Sequence, residues 1–485
     1  MIGKGMEKMW RWLAPLALLI TIVPLIGASQ SAAPLPQAPA ALSYAFATLG
    51  TVHVYRPARD PAGVVLFLSD SNGISAAETG IAKVLAGNGM LVALLSTPDM
   101  MKGQKAAGGR CLNLNYPLVD LSNDVQHRMG VKAYMKPLLI GMGEGGTLAY
   151  ATLSQWANGS YTGAISIGFQ PRVATVKPWC TAPGFSAERD KDQIDWKFGP
   201  NRMIRLPWIV MNPADVPVRQ SKSMENFVKA VPGARLVSLP SDNPLWPDPV
   251  MKAALAMLPR APSRAQTGPL PIPPMPLSVM PVSARAGGGN NDLMAIIYSG
   301  DGGWVGIDRD VADQLVAKGI PVVGVDSLSY FWTARTPDGA SRDMGALINA
   351  FSRHWGRSRV LLVGYSFGAD AMPYMVDRLD PATRAKVARI SLLGLSSTAD
   401  FQFHLSSWLN VSSDTSLPTI PAIQRLRGVS IQCVRGEDED DSACGDIPGG
   451  LAQQYLVPGG HHFGRNAPLL ASIIMGQHRP GTISE

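Results

Sequence analysis

Residues 360–372, VLLVGYSFGADAM, restrict the possible fold more than any other stretch of this chain. The apolar run Val360–Val363 is typical of a buried strand, and residues 369–379 have helix-forming character. Between them lies GYSFG, a G-x-S-x-G turn whose glycines allow close approach to the neighbouring strand and helix. This context is typical of a nucleophile elbow. The sequence therefore predicts that Ser366 is a nucleophile; the alternative is a turn that carries serine without a catalytic role.

Length and composition indicate a folded protein of more than one core. The chain has 485 residues, of which 46% are hydrophobic and 16% charged, which is typical of globular proteins. The formal net charge is +7, but the basic residues do not cluster with aromatic ones. We therefore expect no nucleic-acid partner.

The N-terminus has the pattern of a signal peptide. Three basic residues precede the apolar run 12–26, and the small residues Gly27-Ala28-Ser29 follow it. We expect residues 1–29 to direct export to the periplasm; the alternative is an uncleaved signal anchor. No cysteine follows the expected cleavage site, so a lipoprotein anchor is not expected. The mature protein is expected in the periplasm, either free or associated with the membrane.

A Pro-, Ala- and Ser-rich stretch, residues 259–291, ends in three glycines and a pair of asparagines and predicts a linker. It divides the chain into residues 42–258 and 292–485. Four cysteines in an exported chain favour disulfides, and we expect one local to each part: Cys111 with Cys180, and Cys433 with Cys444. Neither pair has zinc-ligand spacing with histidines, so no metal site is expected.

The two parts resemble each other in sequence. In each, a strand, a polar loop, a helix and a second strand follow in order, and Gly73 and Gly89 have the same spacing as Gly303 and Gly319. Alternating strands and helices predict parallel sheets covered by helices. The fold class expected is therefore α/β, with two tandem α/β-hydrolase-like domains.

The N-terminal copy is degenerate where chemistry is expected. Its elbow reads GMGEG, with Gly143 at the position of Ser366, and residues 239–243 read LPSDN where the second copy has VPGGH. We predict that this copy lacks nucleophile and base. GMGEGG also fits a dinucleotide fingerprint, but no acidic residue ends the next strand to bind a ribose, so no cofactor is expected.

A triad on this fold needs an acid and then a histidine after the nucleophile. The sequence offers PGGHHF at 458–463, with His461 as the expected base and His462 as the alternative. It also offers a run of five acidic residues, 437–441. Cutinase-like esterases are similar here, because their catalytic Asp lies three residues before the second Cys of a small disulfide loop. Asp441 stands in that relation to Cys444 and is the preferred acid; Asp438 and Glu439 are the alternatives.

Further site residues follow from the same arrangement. The backbone N–H of Phe367, with one from Asp301 or Gly302, is expected to form the oxyanion hole. Asp370 and Trp304 are candidates for substrate contact. For Asp370 the alternative is a first-turn carboxylate stabilised by the helix dipole.

Four motifs together resemble one family. They are YSGDGGW at 298–304, GYSFGAD at 364–370, the acidic run closed by Cys444, and PGGHHF at 458–463. This combination is similar to the AcvB/VirJ family of exported bacterial virulence proteins, whose longer, AcvB-like members also carry an extra N-terminal half. The resemblance covers nearly the whole chain.

The resemblance implies a periplasmic serine ester hydrolase linked to virulence and type IV secretion. In AcvB-like members the substrate is lysyl-phosphatidylglycerol, an aminoacylated phospholipid at the membrane surface, and no cofactor is used. Type IV secretion components are candidate partners. Two alternatives stay open: a non-enzymatic VirJ-like periplasmic adaptor for secreted virulence proteins, and a general lipase or thioesterase.

Overall fold

The computed structural model describes most of the chain outside the N-terminus. The described residues are 40–155, 159–189, 195–213, 218–239, 247–258, 271–282, 290–403 and 416–482. The expected signal peptide, most of the expected linker and residues 240–243 lie outside these ranges.

In the N-terminal half, apolar runs form strands that alternate with helices. Its strands are β1 (Ala40–Phe46), β2 (Gly50–Arg56), β3 (Gly63–Leu68), β4 (Met90–Leu95), β5 (Leu138–Met142), β6 (Gly163–Ile167), β7 (Arg172–Ala174), β8 (Ala187–Arg189), β9 (Asp195–Phe198), β10 (Trp208–Pro213) and β11 (Ala234–Leu239). Its helices are α1 (Ala76–Gly87), α2 (Thr97–Ala106), α3 (Asn115–Arg128), α4 (Glu144–Gln155), α5 (Val218–Lys229) and α6 (Pro247–Met257). An eight-stranded sheet has the order β1-β2-β4-β3-β5-β6-β10-β11.

The C-terminal half repeats this arrangement. Its strands are β12 (Leu277–Met280), β13 (Leu293–Tyr298), β14 (Val322–Val325), β15 (Arg359–Tyr365), β16 (Val387–Leu393), β17 (Thr398–Ala399), β18 (Leu417–Pro418), β19 (Ile431–Gly436), β20 (Gln453–Val457) and β21 (Gly481–Thr482). Its helices are α7 (Ile307–Ala317), α8 (Ser327–Tyr330), α9 (Pro337–Trp355), α10 (Phe367–Asp377), α11 (Pro381–Arg384), α12 (Thr419–Arg425) and α13 (Ala467–Ile474). A second eight-stranded sheet has the order β12-β14-β13-β15-β16-β19-β20-β21.

The two sheets share the topology of seven strands, from β2 to β11 and from β12 to β20, while β1 and β21 are additional edge strands. From β4 to β11 and from β14 to β21 all neighbouring strands are parallel, and β2 and β12 each add an antiparallel strand, to β4 and β14 respectively. The register also matches, because Leu68 pairs with Gly141 as Tyr298 pairs with Gly364. The mostly parallel α/β fold expected from the duplication is confirmed.

Residues 277–280 differ from the expectation for the linker, because they form β12 at the sheet edge. The prolines around this short segment suggested an extended linker. An edge strand tolerates them because half of its backbone groups need no partner in the sheet. The sequence Leu-Ser-Val-Met then supplies β-forming residues between the prolines.

Helices cover both faces of the C-terminal sheet, which explains why β13 and β15 are apolar along almost their whole length. Side chains of α9 and α10 pack on one face, and those of α7 and α13 pack on the other. In the part of the chain that the structure describes, no helix has the length and apolarity that crossing a bilayer requires.

Both expected disulfides are formed. Cys111 is bonded to Cys180 in the N-terminal half, and Cys433 is bonded to Cys444 in the C-terminal half. Two such bonds are typical of a protein that folds in an oxidising compartment such as the periplasm.

The two sheets belong to one compact unit, and α3 of the first half packs against the second half. At the end of α3 the ring of His127 stacks on Trp332, with 3.8 Å between ring centroids. Trp332 Nε1 also donates a hydrogen bond of 2.7 Å to the carbonyl of Val131. The backbone of Gly159 approaches Val305 so closely that a Cβ at Gly159 would overlap it. These contacts bring residues of the N-terminal half to the candidate site of the C-terminal half.

Candidate active site

Ser366 lies on a tight turn between β15 and α10. Its φ of 50° and ψ of −121° are strained for a residue with a side chain. The turn is held by a 2.8 Å hydrogen bond from Ser366 N to Leu393 O. A Cβ at Gly364 would overlap the carbonyl of Gly368, and one at Gly368 would overlap Tyr298 O. The glycines of the motif are therefore required by this close approach, and the backbone has the form of a nucleophile elbow.

His461 follows β20, and its Nδ1 lies 2.5 Å from Glu439 Oε1. The second oxygen of Glu439 accepts a 3.0 Å hydrogen bond from Gly436 N. The structure thus pairs the histidine with Glu439, whereas we expected Asp441. A Cβ at Gly394 would come within 3.0 Å of His461 Nδ1, so the absence of a side chain there leaves room for the pair.

Burial explains why Glu439 takes this place among the five acidic residues. The chain reverses directly after β19, where Glu439 N donates to Gly436 O, and this turn directs Glu439 inward. Glu439 is 5% exposed, while Glu437, Asp438, Asp440 and Asp441 are all exposed. A carboxylate held beneath the imidazole fixes its tautomer, so Glu439 replaces Asp441 as the candidate acid.

The protonation of His461 depends on this partner. Burial alone would lower the pKa of His461, but the hydrogen bond and charge of Glu439, with Asp301 and Asp370 nearby, raise the pKa above 6.5. The described ring contacts of His461 are with Glu439, Tyr365 and His462, and do not include a hydrogen bond to Ser366 Oγ.

His462, the alternative base, has its two ring nitrogens beside tyrosines. Nδ1 lies 2.7 Å from the hydroxyl of Tyr365, and Nε2 lies 3.5 Å from that of Tyr116 in α3. Burial, followed by the charges of His461 and Arg465, lowers the pKa of His462. This geometry favours His461 as the base and gives His462 a role in joining α3 to the site.

Ser366 and both histidines line a cavity of about 110 Å³ at the junction of the two halves. The predicted oxyanion residues Asp301 and Gly302 line the same cavity. Phe367 begins α10, so its N–H belongs to the first turn, where N–H groups have no partner inside the helix. The N-terminal half contributes the remaining wall through Asn115, Tyr116, Val119 and Ser160.

Two acidic groups at or near the cavity, Asp308 and Asp120, were not predicted from the sequence. Asp308 lines the cavity, is 4% exposed, and its Oδ1 has no hydrogen-bond partner among the described residues. Burial raises the pKa of Asp308 and, despite the charge of His461, that of Asp301. In α3, burial and the charge of Asp301 raise the pKa of Asp120 to about 7. No local motif marks Asp120 or Tyr116, because their position depends on packing between the halves.

The two expected substrate contacts lie elsewhere. Trp304 is 8% exposed in the core, packs its ring over Gly324, and reaches a second cavity rather than this one. Asp370 is 8% exposed and accepts a 2.7 Å hydrogen bond from Ser396 N, so it fixes the loop after β16. Burial raises its pKa to about 8. Neither side chain lines the catalytic cavity.

The N-terminal half keeps the backbone of the elbow but fills its site. Gly143 has a φ of 53°, close to that of Ser366. A Cβ at Gly143 would overlap the carboxylate of Asp70, which accepts hydrogen bonds from Ser71 N and Glu144 N at 2.7 and 2.9 Å. Glu144 N is the counterpart of the Phe367 N–H. The side chain of Asp70 thus occupies what would be the oxyanion hole, and Gly300 stands at its position in the second half.

The Cys433–Cys444 bond encloses the loop that carries Glu439, since Cys433 lies in β19 and Cys444 in a 3-10 helix after the loop. We predict that replacing both cysteines by serine lowers kcat roughly 10²-fold, because a displaced carboxylate no longer orients the imidazole. Without the bond the unfolded chain gains entropy, and for a loop this short this should lower the free energy of unfolding by at most about 3 kcal/mol. The measurement is kcat together with Tm.

The matched control is the same double substitution in a Glu439→Gln background. If the bond acts through Glu439, removing it there should change kcat little further. An unchanged kcat in the wild-type background would show that the bond does not position the acid.

Comparison with known proteins agrees with the resemblance for the C-terminal half. Residues 292–481 match the family described as "Bacterial virulence protein (VirJ)". A comparison with curated proteins gives no match.

Several solved structures match part of the chain. Est1E from Butyrivibrio proteoclasticus is 10% identical, with a TM-score of 0.30, and the match covers 45% of this chain and 98% of that one. The fluorophosphonate-binding serine hydrolase FphF of Staphylococcus aureus is 13% identical, with a TM-score of 0.32 over 47% and 100% of the two chains. Thermogutta terrifontis esterase 2 is 12% identical, with a TM-score of 0.31 over 46% and 95%. No activity follows from likenesses this low.

Proposed function

We propose that this VirJ-like chain is a periplasmic serine ester hydrolase that cleaves the lysyl ester of lysyl-phosphatidylglycerol. The observation that carries the proposal is that Ser366, on a strained turn, lines one cavity with His461, whose ring is held by Glu439. A serine, an imidazole and a buried carboxylate that holds the imidazole are the groups that acyl transfer requires.

The residues have distinct parts in the proposed reaction. Glu439 holds Nδ1 of His461, which leaves Nε2 to take the proton of Ser366 as its Oγ attacks the ester carbonyl. The N–H groups of Phe367 and Gly302 stabilise the oxyanion. The imidazolium then protonates the departing glycerol oxygen. Water attacks the lysyl-serine ester by the same route, which frees lysine and restores Ser366.

The charge of the cavity supports a cationic acyl group. Asp301 and Asp308 line it together with Arg465, and the charge of Asp301 acts on Asp120 in α3, so acidic groups outnumber Lys and Arg at this cavity. The pKa values of these aspartates are raised because burial disfavours their charged forms. An ammonium group would supply the missing counter-charge, and lysine carries two such groups.

Location and partners belong to the same proposal. The two disulfides are compatible with the periplasm, and the family that residues 292–481 match is described as a bacterial virulence protein. We propose action at the periplasmic membrane surface, where an aminoacylated phospholipid is available. Type IV secretion components are the proposed protein partners.

The test is release of lysine from vesicles that contain lysyl-phosphatidylglycerol, compared with hydrolysis of an uncharged acyl ester of the same length. We expect strong preference for the lysyl ester and its reduction in Asp301→Asn. Asp338→Asn, at the exposed first turn of α9, is the matched control and should keep the preference. Equal turnover of both esters would contradict the lysyl assignment and indicate a general lipase.

The adaptor alternative needs a cellular test. A deletion strain is complemented with wild-type protein or with Ser366→Ala, and its lipids and virulence are measured. The proposal requires that Ser366→Ala fail in both. Full restoration of virulence by Ser366→Ala would indicate an adaptor instead.

A further inference from the structure

A second and larger cavity, of about 690 Å³, lies next to the catalytic one between the two halves. Gly306 and Arg465 line both cavities, so the two spaces adjoin at these residues. The larger volume is in the range of small-molecule sites, roughly 300–1,000 Å³. A substrate whose ester lies at Ser366 would have to pass Arg465 to reach the larger space.

The charged residues that line this cavity are mostly basic. Lys136 and Arg205 come from the N-terminal half, and Arg309 and Arg465 from the C-terminal half. Two carboxylates, Asp310 and Asp313, line it as well, so four cations face two anions. Burial raises the pKa of Asp310, and the nearby positive charge of Arg465 partly offsets this rise.

Lys136 is the cation that most needs a counter-charge. Burial lowers its pKa, Asp326 opposes this, and the nearby charge of Arg309 lowers it further. In the part of the chain that the structure describes, Lys136 forms no ion pair. An anion bound between Lys136 and Arg309 would relieve their repulsion and replace the hydration that burial removes.

We infer that this cavity binds the phosphate group of the substrate, so that the ester to be cleaved is placed at Ser366. The binding site is built by both halves, and the catalytically degenerate half supplies Lys136 and Arg205. The inference rests on the proposed function for the presence of an ester, but anion binding in the cavity does not require hydrolysis.

The first test measures binding alone, with the full chain carrying Ser366→Ala and sn-glycerol 3-phosphate as the probe. Calorimetry should show binding of this probe and not of glycerol. Lys136→Gln, Arg309→Gln and Arg205→Gln should each weaken it roughly tenfold, since each removes one charged hydrogen-bond donor. Asp313→Asn should tighten it, because it removes a repelling carboxylate. Arg205 is exposed, so its variant provides a test that does not depend on a buried position.

The matched control is Lys132→Gln, four residues before Lys136, whose exposed ammonium pairs with Asp60 outside the cavity. It should leave binding unchanged. Equal affinity of the probe for the Lys136→Gln, Arg309→Gln double variant would overturn the inference, and so would no binding at all. Inorganic phosphate and phosphatidylglycerol vesicles, used as competitors, distinguish a site for free phosphate from one for a lipid headgroup. Displacement by inorganic phosphate and not by the vesicles would overturn the assignment to the phosphate of a lipid substrate.

The second test is kinetic and uses the protein with Ser366 intact. For a lysyl ester of glycerol phosphate, Lys136→Gln should lower kcat/KM roughly tenfold through KM. For lysine methyl ester, which lacks phosphate, it should leave kcat/KM unchanged. Equal losses on both esters would contradict the inference. If neither ester is cleaved but glycerol phosphate binds as described, the anion site stands and the proposed hydrolase function fails.

Discussion

Ser366→Ala is expected to lower kcat for ester hydrolysis by roughly 10⁴–10⁶-fold while the protein stays folded. The hydroxyl is the only group of Ser366 that the proposed chemistry uses. The turn itself is held by the backbone bond to Leu393 O and by the glycines on either side, which the substitution leaves unchanged. Tm should therefore change little. The measurements are kcat, Tm and labelling by a fluorophosphonate.

The control is Ser472→Ala, a serine of α13 whose hydroxyl bonds to Leu469 O and does not line the cavity. It should keep full activity and full labelling. More than a few per cent of residual activity in Ser366→Ala would refute the covalent mechanism. Fluorophosphonate labelling that persists in Ser366→Ala would show a second nucleophile in the chain. If that nucleophile lies in the N-terminal half, the predicted inactivity of that half is wrong.

Glu439→Gln is expected to lower kcat by roughly 10⁴-fold, since an amide can hold the imidazole in the wrong tautomer and cannot stabilise its charge. The pH profile should change too. Glu439 raises the pKa of His461, and the base must be neutral, so wild-type kcat/KM should rise as pH passes upward through this raised pKa. In the variant, burial without the carboxylate lowers the pKa, and the rise should move to lower pH.

Asp441→Asn is the comparison that decides between the two acids. Asp441 is exposed, whereas Glu439 is buried against His461, so Asp441→Asn should keep kcat within several-fold and leave the pH profile in place. Asp438→Asn should behave in the same way. A loss in Asp441→Asn as large as that in Glu439→Gln would show that the loop rearranges in the working enzyme.

The parts of the fold that follow from strong local patterns were predictable from the sequence. Continuous apolar runs such as Val360–Val363 predict buried parallel strands, and repeated glycine spacing predicts the duplication. The strand β12 was missed because prolines flank it and its pairing with β14 is not a local property. The disulfide pairs were predicted correctly because each half of the chain contains two of the four cysteines.

The site was only partly predictable, for two physical reasons. Five adjacent carboxylates are equivalent as a pattern, and only the turn from Gly436 to Glu439 determines which one is buried. The wall formed by α3 depends on contacts such as the stacking of His127 on Trp332. These residues are about 200 positions apart and share no motif, so a single sequence gives no sign of their contact.

The carboxylate of Asp70 has an evolutionary consequence. Two facing positions in each half share one small volume, and only one of them carries a side chain. In the C-terminal half it is Ser366, which faces Gly300, and in the N-terminal half it is Asp70, which faces Gly143. A serine introduced at Gly143 would meet Asp70, and a glycine introduced at Asp70 would supply no hydroxyl. If these substitutions occur one at a time, the first variant is therefore inactive in either order. The variant with serine at Gly143 is also sterically disfavoured. A nucleophile in the N-terminal half thus requires both substitutions together.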